Sequence, residues 1–164
     1  MSKIRVGFGF DVHQLKAAHP FVLGGVNLEH HSGAFGHSDA DVLLHAICDA
    51  MLGALALGDI GVHFPDTSAE YKNIDSKILL QRTIDLIRQE GYSVVNIDTT
   101  LCLEEPKIKP FVTSMQVVIA GILNVTVKDV SIKATTTEKM GFVGREEGLV
   151  AYATILLKKI NAGT

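Results

Sequence analysis

The sequence predicts an α/β or α+β sandwich, in which a mixed β-sheet packs against helices. One observation is that segments with apolar residues at every second position alternate with segments whose apolar residues recur at helical spacing. A second is that 47% of the 164 residues are hydrophobic and 20% are charged, which is typical of a folded globular protein. The third is the length itself, which suits one domain. We therefore expect a single domain over residues 1–164, and no linker or internal repeat divides it.

The first part of the chain is predicted to form a strand, a hairpin and a buried helix. The strand lies near Ile4–His13 and the hairpin over Phe21–Leu28. The helix runs from about Ala40 to Leu57 and is apolar nearly all round, which indicates burial. Ser38 suits the N-cap of this helix, with Asp41 as its capping-box partner.

The second part is predicted to alternate between helices and strands. Apolar residues at helical spacing predict a helix over Ser76–Glu90, and strict alternation predicts a strand from Val95 to Leu103. Pro110 suits the first turn of a further helix. A strand is expected over Val130–Ala134 and a last helix from about Arg145 to Ile160.

Charge and cysteine content exclude several classes of function. The net charge is −3, so no basic excess favours a nucleic-acid backbone or a membrane surface. The longest apolar stretch, Val42–Leu57, is shorter than the roughly 20 residues that span a bilayer. Cys48 and Cys102 have neither the number nor the spacing of a disulfide framework or a zinc knuckle. We expect a reduced, cytoplasmic protein with no nucleic-acid or membrane partner.

A candidate metal site follows from one strand and one helix. Asp11 and His13 lie two residues apart on the first strand, so both side chains face the same way, although two polar residues at an exposed strand end would read the same. His45 lies in the apolar helix, on one stripe with Asp41 and Asp49. A core histidine is usually only hydrogen-bonded, but a carboxylate can also fix its tautomer while its other nitrogen binds metal. Asp11, His13 and His45 would then supply three ligands, as in catalytic zinc sites.

The remaining histidines offer one further candidate. His37 precedes Ser38 at the predicted helix start, where free backbone N–H groups favour an anion. The others lie in polar, loop-like sequence: His19, His30, His31 and His63.

A candidate phosphate-binding segment follows the strand over Val130–Ala134. Lys133–Lys139 contains three successive threonines flanked by lysines, and Glu138 suits a hard cation such as Mg²⁺. A threonine run is equally typical of a β-strand. Gly141–Arg145 comes next and places an arginine at the start of the predicted last helix, although a glycine turn with an exposed cation would read the same. No P-loop motif occurs, and Gly7–Gly9 lacks the third glycine of a dinucleotide-binding fingerprint.

Five ordered blocks of this sequence resemble the 2-C-methyl-D-erythritol 2,4-cyclodiphosphate synthase family of the non-mevalonate isoprenoid pathway. The blocks are G-x-G-F-D-V-H at Gly7–His13, H-S-D-x-D-V-x-x-H at His37–His45, G-D-I-G-x-x-F-P-D at Gly58–Asp66, P-K at Pro106–Lys107 and K-A-T-T-T-E-K-x-G-F-x-G-R at Lys133–Arg145. The resemblance covers nearly the whole chain.

The resemblance implies a role for each matching residue. Asp11, His13 and His45 would bind Zn²⁺, Glu138 would bind Mg²⁺ or Mn²⁺ with the substrate diphosphate, and His37 and Thr136 would act on the transferring phosphoryl group. The other implied substrate contacts are Val12 and Ser38; Asp59, Ile60, Gly61, Phe64, Pro65, Asp66, Thr67 and Ser68 around the erythritol; Leu103, Glu104, Glu105, Pro106, Lys107, Ile108 and Lys109 around the cytidine; Thr135 and Thr137; and Phe142 and Arg145. Glu104 and Glu105 are more acidic than is usual for the family, which raises a question about cytidine affinity.

The resemblance also implies a reaction and an assembly. The 2-phosphate of 4-diphosphocytidyl-2-C-methyl-D-erythritol 2-phosphate would attack the β-phosphorus, forming the cyclic diphosphate and releasing CMP, so the enzyme would be a phosphorus–oxygen lyase. A homotrimer with active sites between subunits is implied as well. A zinc-dependent phosphoesterase and a non-enzymatic metal- and nucleotide-binding module remain the alternatives.

Overall fold

The computed structural model describes residues 3–160, which form a mixed β-sheet packed against helices. The strands are β1 (Ile4–Ala17), β2 (Phe21–Leu23), β3 (Val26–Leu28), β4 (Ser32–Phe35), β5 (Tyr92–Cys102), β6 (Val130–Thr135) and β7 (Gly148–Lys159). The helices are α1 (Val42–Ala54), α2 (Ile60–His63), α3 (Ser76–Gln89), α4 (Val112–Leu123) and α5 (Gly141–Gly144), with 3₁₀ turns at Ala69–Tyr71, Lys109–Phe111 and Val127–Asp129.

The main sheet has five strands in the order β4-β1-β7-β5-β6. Only the β5–β6 pair is parallel; the β1–β4, β1–β7 and β5–β7 pairs are antiparallel. β2 and β3 form the predicted hairpin beside this sheet. The α+β class with a mixed sheet is therefore confirmed.

Helix α1 packs closely on the inner face of β1, and two glycines of that strand make the approach possible. A Cβ added at Gly7 would lie 1.8 Å from the carbonyl oxygen of Ala50, and one at Gly9 would lie 1.9 Å from that of Ala46. No side chain fits in either place, so the strand and the helix meet backbone to backbone. This contact brings the residues that follow Gly9 on β1 next to the residues of α1.

The outer face of β1 is apolar and exposed. Val6 and Phe8 are each 64% exposed, and Phe10 and Val12 are also exposed on the same face. Tyr152 of the neighbouring strand β7 lies against Phe10, with 5.4 Å between ring centroids. Such an apolar surface is typical of a contact with another protein surface.

The last helix predicted from Arg145 to Ile160 is wrong, because this segment forms β7 instead. Along β7 the inward side chains are buried at every second position: Leu149, Ala151, Ala153, Ile155 and Leu157. The strand pairs with β1 on one side and with β5 on the other, so its backbone hydrogen bonds go to distant segments. Arg145 therefore follows the short helix α5 and does not begin a long helix.

The predicted N-cap of α1 is also wrong. Asp41, not Ser38, caps the helix, and its carboxylate accepts hydrogen bonds from the backbone N–H groups of Leu43 and Leu44. The same carboxylate accepts from Gly24 and Gly25 at 2.9 and 2.6 Å, which fixes the hairpin to the helix start. Burial raises the pKa of Asp41, although the hydrogen bonds from these backbone groups oppose the shift.

The other elements lie close to their predicted positions. α3 ends where Gly91 adopts a positive φ of 77°, and Pro110 lies in the 3₁₀ turn before α4. β5 carries a register shift between Val94 and Asn96, so Val95 leaves the alternation that the sequence suggested. Among residues 3–160, none of the helices combines the length and the hydropathy that crossing a bilayer requires.

Candidate functional site

Three residues from β1 and α1 form a cluster suited to a metal ion. Asp11, His13 and His45 each place one ligand atom within 4.8 Å of the others. Asp11 Oδ2 lies 3.0 Å from His45 Nδ1 and 3.3 Å from His13 Nδ1. His13 Nδ1 also lies 2.8 Å from the Val12 carbonyl oxygen, and donation to that oxygen leaves Nε2 of His13 free to bind. The structure thus brings together the three residues that the strand and helix patterns singled out.

His45 is the buried member of the cluster. Burial alone would lower its pKa, but the hydrogen bond and the negative charge of Asp11 raise the pKa of His45 above its ordinary value. Its Nε2 atom lies 2.8 Å from Ser76 Oγ and 3.0 Å from Ser38 Oγ. The imidazole is therefore held from both edges, which fixes the plane of the ring.

The cluster opens into a cavity of about 350 Å³. The lining residues come from β1, the bend before α1, helices α1, α2 and α3, and the segment between α2 and α3. They are Asp11, His13, Gly36, His37, Ser38, His45, Asp49, Ile60, Gly61, Phe64, Asp66, Tyr71, Ile74 and Leu79. The chain folds to this shape because α2 turns back over α1, where Asp49 Oδ1 accepts a hydrogen bond from the Ile60 N–H at 2.8 Å. Of the residues assigned to the erythritol pocket, Ile60, Gly61, Phe64 and Asp66 line this cavity.

The remaining residues of that group lie beside the cavity. Asp59 caps α2, and its side chain accepts a hydrogen bond from the Val62 N–H at 3.0 Å. Within residues 3–160, the cavity lining does not include Pro65, Thr67 or Ser68. These side chains belong to the loop that follows α2.

His37 does not lie at a helix start, contrary to the expectation. α1 begins at Val42, and His37 lies in the bend before it. Its Nε2 atom is 3.3 Å from the Ser68 carbonyl oxygen, so the imidazole spans from this bend to the loop after α2. His37 and Ser38 nevertheless both line the cavity beside the cluster of Asp11, His13 and His45.

A second group of predicted residues lies at the ends of β5 and β6. The N–H of Leu103 donates to the Thr135 carbonyl oxygen at 3.1 Å, which joins the two segments where the parallel strands end. Within residues 3–160, no residue of Leu103–Lys109 or Thr135–Glu138 lines the cavity described above. Most of the predicted substrate contacts thus fall into two separate groups in one chain.

Glu104 connects the two segments of this second group. Its carboxylate is buried and accepts a hydrogen bond from the Thr137 N–H at 3.0 Å, and it lies 3.1 Å from Lys139 Nζ. Burial opposes ionisation, but the hydrogen bonds from Lys139 and Thr137 hold the pKa of Glu104 below its ordinary value. Glu105 is exposed and lies 3.4 Å from Lys107 Nζ, which in turn donates to the Glu104 carbonyl oxygen at 2.8 Å. Both glutamates of this loop are therefore paired with lysines.

The threonine segment places its acidic residue in a constrained backbone. Glu138 and Lys139 have positive φ angles of 54° and 63°. Non-glycine residues rarely adopt this conformation, and where they do, they are frequently in functional loops. Thr136 Oγ1 donates to Glu138 Oε1 at 3.2 Å. Arg145 forms a two-point ion pair with Glu147, at 3.0 and 2.9 Å.

Val12 and Phe142 meet at a separate surface groove, which they line together with His13, Gln14, Glu147 and Gly148. Val12 belongs to the outer face of β1, so it lies on the other side of the strand from Asp11.

Several lining residues were not among the predicted substrate contacts. Asp49 is one of them, and its position four residues after His45 on the apolar helix was the available signal. Burial raises the pKa of Asp49, although the hydrogen bond from the Ile60 N–H opposes this. Tyr71, Ile74 and Leu79 carry no sequence pattern that distinguishes a cavity lining from an ordinary core.

The donor set fits Zn²⁺, which binds imidazole nitrogens and carboxylate oxygens and keeps one position open in catalytic sites. The fold and the site together define an α+β protein with a candidate metal centre at the wall of a cavity. The chain belongs to the YgbB family, whose model matches residues 4–158.

Individual relatives agree with this family. The chain is 62% identical over 157 residues to the 2-C-methyl-D-erythritol 2,4-cyclodiphosphate synthase of Phocaeicola vulgatus, covering 96% of this chain and 98% of that protein. It superimposes on the bifunctional IspDF of Campylobacter jejuni with a TM-score of 0.94 and 42% identity, over 98% of this chain and 43% of that one. It is also similar to the CDP complex of Plasmodium falciparum IspF, with a TM-score of 0.85 and 33% identity over 96% of this chain and 97% of that one. The resemblance drawn from the five sequence blocks is confirmed.

Proposed function

We propose that this protein converts 4-diphosphocytidyl-2-C-methyl-D-erythritol 2-phosphate into 2-C-methyl-D-erythritol 2,4-cyclodiphosphate and CMP, a phosphorus–oxygen lyase reaction in isoprenoid precursor synthesis. The observation that carries the proposal is the cluster of Asp11, His13 and His45 at the wall of a cavity, in a chain 62% identical to a synthase of that name. The solved CDP complex of the Plasmodium relative supports a cytidine nucleotide as part of the substrate.

The proposed reaction needs charge neutralisation and alignment more than a protein nucleophile. The attacking phosphate and the diphosphate are both anionic, so they repel each other until cations and hydrogen-bond donors hold them in line. Zn²⁺ bound by Asp11, His13 and His45 would supply positive charge against phosphate oxygens. A Mg²⁺ or Mn²⁺ would be held by Glu138 with the diphosphate.

Side chains of both groups would bind and orient the substrate. His37 and Ser38 face the same cavity as the cluster, so their polar atoms can contact a phosphate there. Thr136 would hydrogen-bond the transferring phosphoryl group from the second group of residues. The loop Leu103–Lys109 would hold the cytidine, with Lys107 offering a positive charge.

We propose a homotrimer in which each active site combines the cavity of one subunit with Leu103–Lys109 and Thr135–Glu138 of its neighbour. The separation of the two groups within one chain supports this arrangement, because neither group alone holds the whole substrate. The exposed apolar face of β1 supports association, since a closed ring would bury it. We also propose a cytoplasmic location, where the two free thiols of Cys48 and Cys102 would stay reduced.

Phosphorus NMR of the reaction mixture tests the activity directly. The expected products are the cyclic diphosphate and CMP in equal amounts. A zinc-dependent phosphoesterase would instead give an open-chain product, and a binding module would give no turnover. His45→Ala should lose zinc and activity together, and zinc retained at full stoichiometry in that variant would contradict the assignment.

Mixing two inactive variants tests the shared site. His45→Ala damages the cavity half and Glu138→Ala damages the other half, so co-refolded mixed trimers would contain some interfaces with two intact halves. Part of the activity should return. Mixed trimers that form without recovering activity would refute the shared site, and an active monomer in sedimentation would refute the trimer.

A further inference from the structure

The imidazole of His45 has two different surroundings. Its Nδ1 atom faces Asp11 Oδ2 at 3.0 Å, on the side where the candidate metal ligands converge. Its Nε2 atom faces away from that side, toward Ser76 Oγ at 2.8 Å and Ser38 Oγ at 3.0 Å. Without a metal ion, Nδ1 can donate a hydrogen bond to this carboxylate. A metal ion would displace that proton, and the neutral ring must then carry its remaining proton on Nε2.

The hydroxyl proton of Ser76 is already committed. Ser76 Oγ donates to Asp39 Oδ1 at 2.5 Å, and the Ser76 N–H donates to Asp39 Oδ2 at 3.0 Å. The N–H of Asp41 points to the same carboxylate at 3.3 Å, so three donors face Asp39. A carboxylate only accepts, and a serine hydroxyl has one proton to give. Ser76 Oγ must then accept a hydrogen bond from His45, which places the proton on Nε2.

We propose that Asp39 and Ser76 are positioning residues that keep Nε2 of His45 protonated, so that Nδ1 presents its lone pair to the metal ion. The proposal deepens the proposed zinc site and rests on it. In many metal sites a carboxylate or carbonyl contacts the second nitrogen of a ligating histidine directly. Here Ser76 lies between Asp39 and His45. Asp39 accepts the hydroxyl proton of Ser76, and the Ser76 oxygen accepts the hydrogen bond from Nε2 of His45.

The surrounding backbone is built to hold this arrangement. The N–H of Asp39 donates to the Ile74 carbonyl oxygen at 3.0 Å, and the N–H of Asn73 donates to the His37 carbonyl oxygen at 2.8 Å. These bonds fix the bend before α1 to the segment before α3. Ser76 is fully buried at the start of α3, so water does not compete for its hydroxyl.

Ser38 provides the competing arrangement. Its Oγ accepts a hydrogen bond from the Ala40 N–H at 3.1 Å, which leaves its own proton available. If that proton were donated to Nε2 of His45, the ring proton would move to Nδ1 and block metal binding there. The shorter contact from Ser76 and its full burial favour the Asp39–Ser76 arrangement.

Zinc affinity tests the proposal, with competition against a chromophoric chelator as the readout. Loss of a contact behind a metal ligand typically weakens metal binding about 10–100-fold, and we expect that range for Ser76→Ala. Thr83→Val is the matched control, because Thr83 is also a fully buried hydroxyl residue of α3 but donates to the Leu79 carbonyl oxygen. Thermal unfolding of the metal-free variants shows whether both remain folded. Equal zinc affinity for Ser76→Ala and Thr83→Val would overturn the proposal.

Asp39→Asn tests the direction of the hydrogen bonds with little change in shape. An asparagine cannot accept from both the backbone N–H and the hydroxyl of Ser76 with its two terminal atoms, because one of them is now a donor. Its amide would donate to Ser76 Oγ and turn the serine proton toward His45. Weaker zinc binding is expected, and unchanged affinity would count against the proposal.

A measurement on the unmodified protein tests the position of the His45 ring proton without any substitution. In the zinc-loaded protein, ¹H–¹⁵N correlation spectra of the histidine rings should place a slowly exchanging proton on Nε2 of His45. A proton on Nδ1 would overturn the proposal. If the unmodified protein does not bind zinc at all, the proposed metal site itself fails. If it binds zinc and the Ser76 and Asp39 variants bind equally well, only the positioning role fails.

Discussion

Replacing Gly9 with alanine should remove the proposed metal site without changing any of its candidate ligands. Gly9 lies two residues before Asp11 on β1 and faces α1 next to His45. The added Cβ would lie 1.9 Å from the Ala46 carbonyl oxygen, and real Cβ contacts are essentially never below 3.0 Å. The helix and the strand must therefore separate by at least 3.0 − 1.9 = 1.1 Å at this point.

That displacement is large compared with what a metal site tolerates. Ligand distances in such sites stay within about 0.2 Å of their preferred values. A shift of 1.1 Å between β1 and α1 would pull His45 away from Asp11 and His13. Overpacking of this kind costs about 1–3 kcal/mol, and each kcal/mol lowers the Tm of a protein of this size by about 2–4 °C. We expect a Tm lowered by roughly 2–12 °C and zinc far below one ion per chain.

Gly53→Ala is the matched control, because it adds the same methyl group to α1 at an open position. The nearest atom to its Cβ is the Phe8 carbonyl oxygen at 3.9 Å. Alanine in place of a helical glycine should stabilise the protein by about 0.5–1 kcal/mol, and zinc content should not change. Zinc is measured by elemental analysis and Tm by circular dichroism. Full zinc and an unchanged Tm in Gly9→Ala would refute the close-packing argument.

Four further predictions concern Glu104, Lys107 and Cys48. Glu104→Gln should weaken CDP binding in calorimetry and leave zinc content unchanged, because the carboxylate of Glu104 holds Thr137 and Lys139 against the loop Leu103–Lys109. Normal CDP affinity would contradict this. The pKa of Glu104 is lowered in the folded state, so the ionised carboxylate stabilises the protein above the ordinary pKa of 4.5. The difference in free energy of unfolding between wild type and Glu104→Gln should therefore shrink as the pH falls below that value. Lys107→Ala should also weaken CMP and CDP binding without releasing zinc, and unchanged nucleotide affinity would count against its placement. Burial raises the pKa of Cys48 to about 12, so at pH 8 its thiol should resist iodoacetamide until the protein unfolds, as followed by mass spectrometry; rapid labelling of the folded protein would show that the helix opens.

The metal cluster could be predicted from the sequence because local periodicity determines it. Asp11 and His13 share a strand face through the two-residue repeat, and His45 interrupts an otherwise apolar helix. The sequence patterns did not show that β1 packs against α1, which is the contact that brings these residues together. The contacts of Ser76 could not be predicted in the same way, because its partners His45 and Asp39 lie 31 and 37 residues away.

The segment Gly148–Lys159 shows where periodicity fails. A run of mostly apolar residues is compatible with a helix and with a strand, because hydrophobicity alone does not show which side chains are exposed. Alanines and leucines in this run favour a helix in isolation. Pairing with β1 on one side and β5 on the other decides for a strand, and such long-range hydrogen bonds leave no local signal.

The side chains of β1 alternate between two faces, and this alternation connects the candidate site to the proposed assembly. Its inward positions carry Gly7 and Gly9, which let α1 approach closely, and then Asp11 and His13, which are two of the candidate ligands. Its outward positions carry Val6, Phe8, Phe10 and Val12, which form the exposed apolar face. Because the side-chain repeat of a strand is two residues, a shift of β1 by one position would exchange these two faces and lose both. Any contact that buries the outer face also holds the register of Asp11 and His13 against α1. Assembly is therefore expected to stabilise the candidate metal cluster, although the side chains of Val6, Phe8, Phe10 and Val12 lie on the opposite face of the strand from it.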